Sequence, residues 1–191
     1  MTARRKRNSK FEYLVFFVAL LVILFFAAQY FSRSAYPVKY KEYVLEYSSR
    51  YQLDPYLVFA MIKVESNFRP DAVSPKNARG LMQITDKTGA WGAEVLKLGD
   101  YTSGSLLDPE TNISIGCWYM KSLLDQFGDD TALALAAYNG GSGNVAGWLK
   151  DKSLSSTGKS LDRIPFKETE NYLKKVENCK AAYKKLYENG F

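Results

Sequence analysis

The chain of 191 residues, 47% hydrophobic and 24% charged, has room for one ordinary domain and an appendage. It contains no histidine, which excludes Ser-His-Asp and Cys-His nucleophile systems and the usual His-bearing catalytic zinc sites, and leaves carboxylates, amides and hydroxyls to carry any chemistry. The formal charge of +6 is concentrated at the start, where residues 1–12 hold five basic side chains and one acidic; no basic stripe interleaved with aromatics follows, so nucleic acid is not an expected partner.

Tyr13 to Phe31 carries no charged residue and, at about 1.5 Å per helical residue, is long enough to cross a bilayer core of about 30 Å. Arg4, Arg5, Lys6, Arg7 and Lys10 precede it, against Arg33 alone just after it, which puts the N-terminus in the cytoplasm and everything beyond Phe31 outside. A cleaved signal peptide is the competing reading, but its apolar part would be shorter. Phe26 before Ala28 and Arg33 before Ala35 also make poor small-x-small cleavage sites. The expected organisation is a basic tail over 1–12, a single-pass anchor over 13–31, a stalk over 32–39 and one exported domain over 40–191.

Within that domain, Tyr40, Val44 and Tyr47 predict a helix to about Arg50. Asp54-Pro55 then supplies a cap and a first-turn proline for a helix to Ser66. Arg69 to Arg79, with two prolines and no periodicity, reads as a loop. Gly80 to Ile84 and Asp86 to Leu98 suggest short helices, and Gly99 to Asp108 another loop. Asp108-Pro109 repeats the cap-and-proline start for a helix to about Phe127, with Ile113, Cys117, Met120 and Leu124 on one face. Leu133 to Tyr138 is a compact helix stopped by Asn139-Gly140-Gly141, Lys150 to Asp162 a polar flexible excursion, and Pro165 opens a last helix through Tyr172, Val176, Cys179, Tyr183 and Leu186. No strand alternation competes, so the exported domain is expected to be all-α. Cys117 and Cys179 fall in the exported part, where a disulfide persists if their backbones come close enough; two buried thiols are the other reading.

Val58, Met61, Ile62 and Glu65 follow the spacing of one helical face, so a carboxyl group takes the place of a hydrophobe at the end of an apolar stripe. Loss of water around it raises its pKa and makes it an acid near neutral pH; a buried Glu paired with Lys or Arg is the non-catalytic alternative. Three further clusters resist a core-packing account. They are Ala78-Arg79-Gly80-Leu81-Met82-Gln83, Ala137-Tyr138-Asn139-Gly140-Gly141, and Glu168-Thr169-Glu170-Asn171-Tyr172, the last placing Glu168 and Tyr172 one helical turn apart.

In that order, Glu65-Ser66, Ser74, Gly80-Leu81-Met82-Gln83, Ala137-Tyr138-Asn139 and Glu168-Thr169 with Tyr172 resemble the catalytic domain of soluble-type lytic transglycosylases, relatives of goose-type lysozyme. The resemblance covers Tyr40 to Tyr187 and implies a lysozyme-like helical domain that takes peptidoglycan glycan strands. There it would cleave the β-1,4 bond between N-acetylmuramic acid and N-acetylglucosamine, leaving 1,6-anhydro ends, with no metal or cofactor. It implies Glu65 as acid and then base. Ser74 would bond near Glu65 or to substrate, Gly80 would belong to the substrate-binding motif, and Gln83 and Asn139 would hold N-acetyl or hydroxyl groups. Met82 and Tyr138 would form apolar walls, Tyr172 would orient the substrate, and Glu168 would be a buried brace. Expected partners besides glycan and membrane are cell-wall or secretion assembly proteins. Asn77 departs from the family, which often has Gly before the Ala; Asn tolerates the left-handed backbone the loop needs. Asp71, soon after Glu65, raises a hydrolytic alternative in which it activates water, and a catalytically idle wall-binding scaffold is a third reading.

Overall fold

The computed structural model describes residues 9–188 and residue 190. The chain divides into two compact units, one up to Pro37 and one from Val38 onward. The first is a single helix, α1 (Ser9–Ala35). It contains a stretch, Glu12–Ala35, long and apolar enough to cross a membrane, and none of that stretch is buried within the protein. The helix runs on through Ser32 to Ala35, so the expected stalk begins as helix.

The second unit is all-α among the described residues, with seven α-helices, a short 3-10 turn over Ser103–Leu107, and isolated bridges in place of strands. The helices are α2 (Lys41–Arg50), α3 (Pro55–Glu65), α4 (Asp86–Leu96), α5 (Pro109–Gln126), α6 (Thr131–Gly140), α7 (Ser142–Lys150) and α8 (Lys167–Tyr187). Asp54 caps α3 by accepting from the Tyr56 amide at 2.9 Å, and its other oxygen pairs with Lys180 of α8 at 3.0 Å. Leu57 through Ile62 are all buried, which makes α3 a core helix with packing on every side. Its broadest neighbour is α8, where Phe59 stacks on Tyr183 with ring centroids 5.5 Å apart. Around this pair, α6 packs on α5, α7 and α8, α2 on α3 and α5, and α4 on α5.

Two sequence expectations are corrected, and one segment left unassigned from sequence is a helix. Gly80 to Ile84 is a tight turn instead of a helix: Arg79 and Ile84 exchange backbone hydrogen bonds of 2.9 and 3.0 Å, and Gly80 and Gln83 both have positive φ, 74° and 49°, which a helix cannot accommodate. Ser142–Lys150 is helical although Gly143 and Gly147 lower its propensity; burial of Val145 and Trp148 compensates. The segment after it is ordered by its own polar groups. Ser155 Oγ donates to the Ser160 carbonyl at 2.6 Å and accepts from the Gly158 amide, and Leu154 is buried. Cys117 is buried, Cys179 partly so, and both are free thiols.

The turn after the Arg69–Arg79 loop is held from below by Asn112 of α5, which is completely buried. Its Oδ1 accepts from the Met82 amide at 2.7 Å, and its Nδ2 donates to the carbonyls of Arg79 and Leu106 at 2.9 and 2.8 Å. A Cβ at Gly80 would lie 2.2 Å from the Leu106 carbonyl oxygen and 2.3 Å from the Asn112 amide nitrogen. The glycine is therefore dictated by close approach as well as by its φ. Asn112→Ala orphans two buried backbone groups, the Met82 amide and the Leu106 carbonyl, at a cost of about 1–3 kcal/mol each, while the Arg79 carbonyl keeps the Ile84 amide. We expect the melting temperature to fall by roughly 4–24 °C, taking about 2–6 kcal/mol in all and about 2–4 °C per kcal/mol for a chain of this size, as read by circular dichroism of the chain in detergent micelles.

Candidate active site

Four segments converge on a cavity of about 300 Å³: the C-terminal end of α3 with Glu65, the loop with Ser74 and Lys76, the turn with Gln83, and the end of α6 with Tyr138 and Asn139, while Glu168 at the start of α8 lines its rim. Glu65 is the last residue of α3 and partly buried. Burial pushes its pKa up to about 7. The nearby Tyr172 phenol counters part of that rise, and the charge of Glu168 adds to it. The negative end of the helix acts in the same upward sense. A carboxyl group so placed is half protonated near neutral pH and can both give and take a proton.

The aromatic partners are tuned in turn. Tyr138 donates its hydroxyl to the Met82 carbonyl at 2.8 Å, and burial, with Glu65 and then Tyr119 nearby, holds its phenol well above the ordinary tyrosine range. Tyr172 is shifted the same way by burial first and by Glu65 next. Its buried hydroxyl has no hydrogen-bond partner of good geometry, yet it stands close enough to Glu65 to favour the carboxylate.

The polar side chains are each held by one atom and present another. Gln83 Nε2 donates to the carbonyls of Gly80 and Ala72 at 2.9 and 3.2 Å, which leaves its amide oxygen to accept from a ligand. Asn139 is the converse: its Oδ1 accepts from Thr169 Oγ1 at 2.8 Å, which leaves the amide N–H groups to donate. Ser74 Oγ accepts from the amides of Ala78 and Lys76 at 3.0 and 3.2 Å and keeps its own proton for donation. Asn77, inside that loop, has φ 58°, the left-handed backbone that Asn tolerates.

Three expected roles change. The Met82 side chain is completely buried and lies over Gly116, where a Cβ would meet its sulfur at 2.3 Å, so it supports the turn and gives a sugar no wall. Gly80 is buried against Asn112 and the Leu106 carbonyl, where it shapes the turn and is shielded from substrate. Glu168 is 75% exposed and faces Lys76 at 3.7 Å; the buried brace on α8 is its neighbour Thr169. Asp71 is exposed and is not among the residues lining the Glu65 cavity. Sequence reasoning missed Asn112 and the bracing role of Thr169. Asn112 carried a usable signal, because it shares a helical face with Gly116 and Met120 and is a polar group on an apolar stripe, as Glu65 is.

The transglycosylase SLT domain matches residues 42–161. The chain belongs to that family. Glu65, Ser74, Gln83, Tyr138 and Asn139 fall within the matched span, and Glu168 and Tyr172 lie beyond it. This SLT domain is 35% identical over 151 residues to the soluble lytic murein transglycosylase of Escherichia coli strain K12, covering 78% of this chain and 23% of that protein. It is 31% identical over 173 residues to the membrane-bound lytic murein transglycosylase C of Photorhabdus laumondii, covering 76% of this chain and 46% of the relative. The chain thus spans about a quarter of the first relative and about half of the second. The crystal structure of the 70-kDa soluble lytic transglycosylase from Escherichia coli superposes with a TM-score of 0.72 at 32% identity, over 81% of this chain and 25% of that one.

Two outcomes follow from the electrostatics. Because the folded-state pKa of Glu65 is raised from 4.5 to about 7, its contribution to stability is intact below the unfolded value and is lost as pH rises through the folded one. Glu65→Gln should therefore abolish that loss. The variant is expected to be more stable than the parent at pH 8, by an amount on the order of 2–3 kcal/mol, in thermal melts taken from pH 4 to 8. In Tyr172→Phe, removal of the phenol that favours the carboxylate should move the Glu65 pKa above about 7, with little loss of stability below that pH, because the hydroxyl makes no hydrogen bond of good geometry and the neutral carboxyl depends on it least. Carbon-detected NMR titration of the Glu65 carboxyl checks the direction; an unchanged or lowered midpoint counts against the arrangement.

Proposed function

We propose that this SLT domain is the catalytic part of a lytic transglycosylase that cleaves the β-1,4 bond between N-acetylmuramic acid and N-acetylglucosamine in peptidoglycan, without water, leaving a 1,6-anhydro ring. The observation that carries the reading is Glu65, titrating near neutrality in a cavity lined by amide, hydroxyl and phenol groups. Glu65 protonates the leaving oxygen in the first step. As a carboxylate it then removes the proton from the carbon-six hydroxyl of the muramyl sugar, which closes the ring on carbon one. A glycosidase that uses water or an enzyme nucleophile needs two carboxylates flanking the bond. An attacking hydroxyl within the same sugar has a high effective molarity and makes the second one unnecessary. Gln83 accepts from, and Asn139 donates to, the N-acetyl and hydroxyl groups, Ser74 donates near Glu65, Tyr138 lines the cavity, and Tyr172 steadies the carboxylate as it forms. The names of the two relatives support this substrate class.

The hydrolytic alternative raised by Asp71 loses that residue, which does not line the cavity, and would have to use the second carboxylate that does, Glu168. It is exposed and faces Lys76 at the rim, a solvated position poorly placed to hold and activate a water against a bond at Glu65.

In the same proposal α1 anchors the protein as a single pass, N-terminus in the cytoplasm, with the catalytic domain outside, on the strength of the basic start and the apolar span. The domain then works at the membrane surface, within reach of cell-wall or secretion assembly proteins.

Digestion of purified sacculi followed by mass spectrometry tests the chemistry: anhydro-muramyl ends are expected, and reducing ends would replace the proposal by hydrolysis. Glu65→Gln should lower turnover by about 10²–10⁴, the usual contribution of a positioned acid-base group, and keep glycan binding. A variant that clears walls as fast as the parent would assign the acid elsewhere, and a parent that binds glycan without clearing walls would favour the idle scaffold.

A further inference from the structure

The proposed cut falls at carbon one of a muramyl sugar, which differs from N-acetylglucosamine by a lactyl ether on carbon three. On bare strands the lactyl carboxyl is a free anion; on dressed strands it is amide-linked to a stem peptide that brings carboxylates of its own. A muramyl ring seated against Glu65 carries this substituent in with it, and the charged side chains around the cavity decide how it is received.

Those side chains are few. Among the described residues lining the Glu65 cavity, Lys76 is the one cation, and the carboxylates are Glu65 itself and Glu168. The compartment of about 330 Å³ that shares Gln83, Tyr138 and Asn139 with the cavity has no Lys, Arg, Asp or Glu among its described lining residues. The compartment of about 450 Å³ that shares Lys76, Asn139 and Glu168 with it adds a second cation, Lys167. Lys167 has a partner in Glu170 at 2.8 Å, but Lys174 draws on the same carboxylate. Two lysines against the one glutamate on its walls leave this compartment with an excess of positive charge, which an arriving carboxylate complements.

Lys76 is fixed at its backbone and loosely held at its tip. Its amide donates to Ser74 Oγ at 3.2 Å, in a loop closed by the Ser74 amide on the Ala78 carbonyl at 2.9 Å. Its ammonium faces Glu168 at 3.7 Å, with the two side chains 82% and 75% exposed. That separation is too long for a good hydrogen bond, and exposed ion pairs of this kind contribute little. Glu168 keeps support of its own when the pair opens, because it lies in the first turn of α8, where the helix dipole favours a negative charge. Exchanging Glu168 for another carboxylate therefore costs Lys76 almost nothing.

We propose that Lys76 is a specificity-determining residue that leaves Glu168 for the carboxylate on the carbon-three substituent of the muramyl sugar, so that the site favours anionic substituents over capped ones. This rests on the lytic transglycosylase reading above. Glu168 acts as a place-holder in this arrangement, occupying the lysine until the substrate supplies a better-placed anion.

The test uses the full chain in detergent micelles with tetrasaccharides of alternating N-acetylglucosamine and N-acetylmuramic acid in two matched pairs. In one pair the lactyl groups are free carboxylates or primary amides; in the other they carry a dipeptide whose carboxyls are free or amidated. In at least one pair the parent should show kcat/KM about three- to fivefold higher on the free acid, mainly through KM, the size expected of one exposed charge pair. The ratio should fall toward one in about 1 M salt, where such a pair is screened. The pair that shows the preference identifies the source of the carboxylate, lactyl group or stem. Lys76→Met should bring the ratio to about one, Lys76→Arg should keep most of it, and Glu168→Gln, which removes the competing anion, should raise it about twofold. Thermal melts identify any variant that has merely unfolded. A parent without preference in either pair, a preference that survives Lys76→Met, or one that falls in Glu168→Gln overturns the proposal. Titration calorimetry of the same sugars with Glu65→Gln should give matching ratios in Kd. Those ratios uphold the role of Lys76 even in an enzyme that cleaves nothing, in which case only the lytic reading is lost.

Discussion

The saturated side chain of Asn112 is the constraint on which the site depends. Every hydrogen-bonding group of its amide is used to pin the 79–84 turn and the 3-10 segment to α5. The turn is expensive by itself, because Gly80 and Gln83 sit at positive φ and the Met82 amide and Arg79 carbonyl are withdrawn from water. Asn112 repays that cost in the low-dielectric interior, where a satisfied polar group is strongly directional and an unsatisfied one is penalised. Ser66 adds a second tie, its hydroxyl donating to the Leu81 carbonyl at 2.8 Å. The turn is thereby fixed to the residue that follows Glu65.

From that fixed turn the geometry of the cavity propagates through backbone atoms. The Met82 carbonyl receives the Tyr138 hydroxyl, and the Gly80 and Ala72 carbonyls receive the Gln83 amide. On the far wall Thr169 holds Asn139 from α8, so the two amide side chains facing the cavity are oriented in opposite senses, one to accept and one to donate. Met82 contributes by filling the space above Gly116, and its burial is what carries its carbonyl to the right place.

Glu65 carries the cost of this arrangement. A helix as thoroughly buried as α3 would be steadier with a hydrophobe at its end, and a carboxyl group there resists ionisation because burial withholds the water that its charge requires. In the proposed reaction that reluctance is also the source of its reactivity, since a group poised between its two forms can serve as acid and then as base in one turnover. Burial sets the midpoint near neutrality, and Tyr172 and Glu168 adjust it in opposite directions. Stability is surrendered at the position where the chemistry needs a group out of equilibrium with its surroundings.

Much of this was legible in the sequence, for reasons that are local. Asp54-Pro55 and Asp108-Pro109 announce helix starts because capping and proline geometry involve only neighbouring residues, and the uncharged run from Tyr13 to Phe31 reads as an apolar helix from length and composition alone. Glu65 stands out because three-four spacing places it on a stripe of hydrophobes. What the sequence could not decide depends on contacts between distant segments. The turn at Gly80 was hidden because it is enforced by Asn112, some thirty residues away; α7 was hidden because buried Val145 and Trp148 outweigh two glycines; and Glu168 and Thr169 exchange their expected places because helix phase against α6 was not known. Residue types and their spacing determined that this is a helical domain preceded by a long apolar helix, with one displaced carboxyl group. Tertiary packing alone decided which polar atoms face the cavity, since burial and hydrogen-bond direction are properties of the neighbours a side chain meets in space.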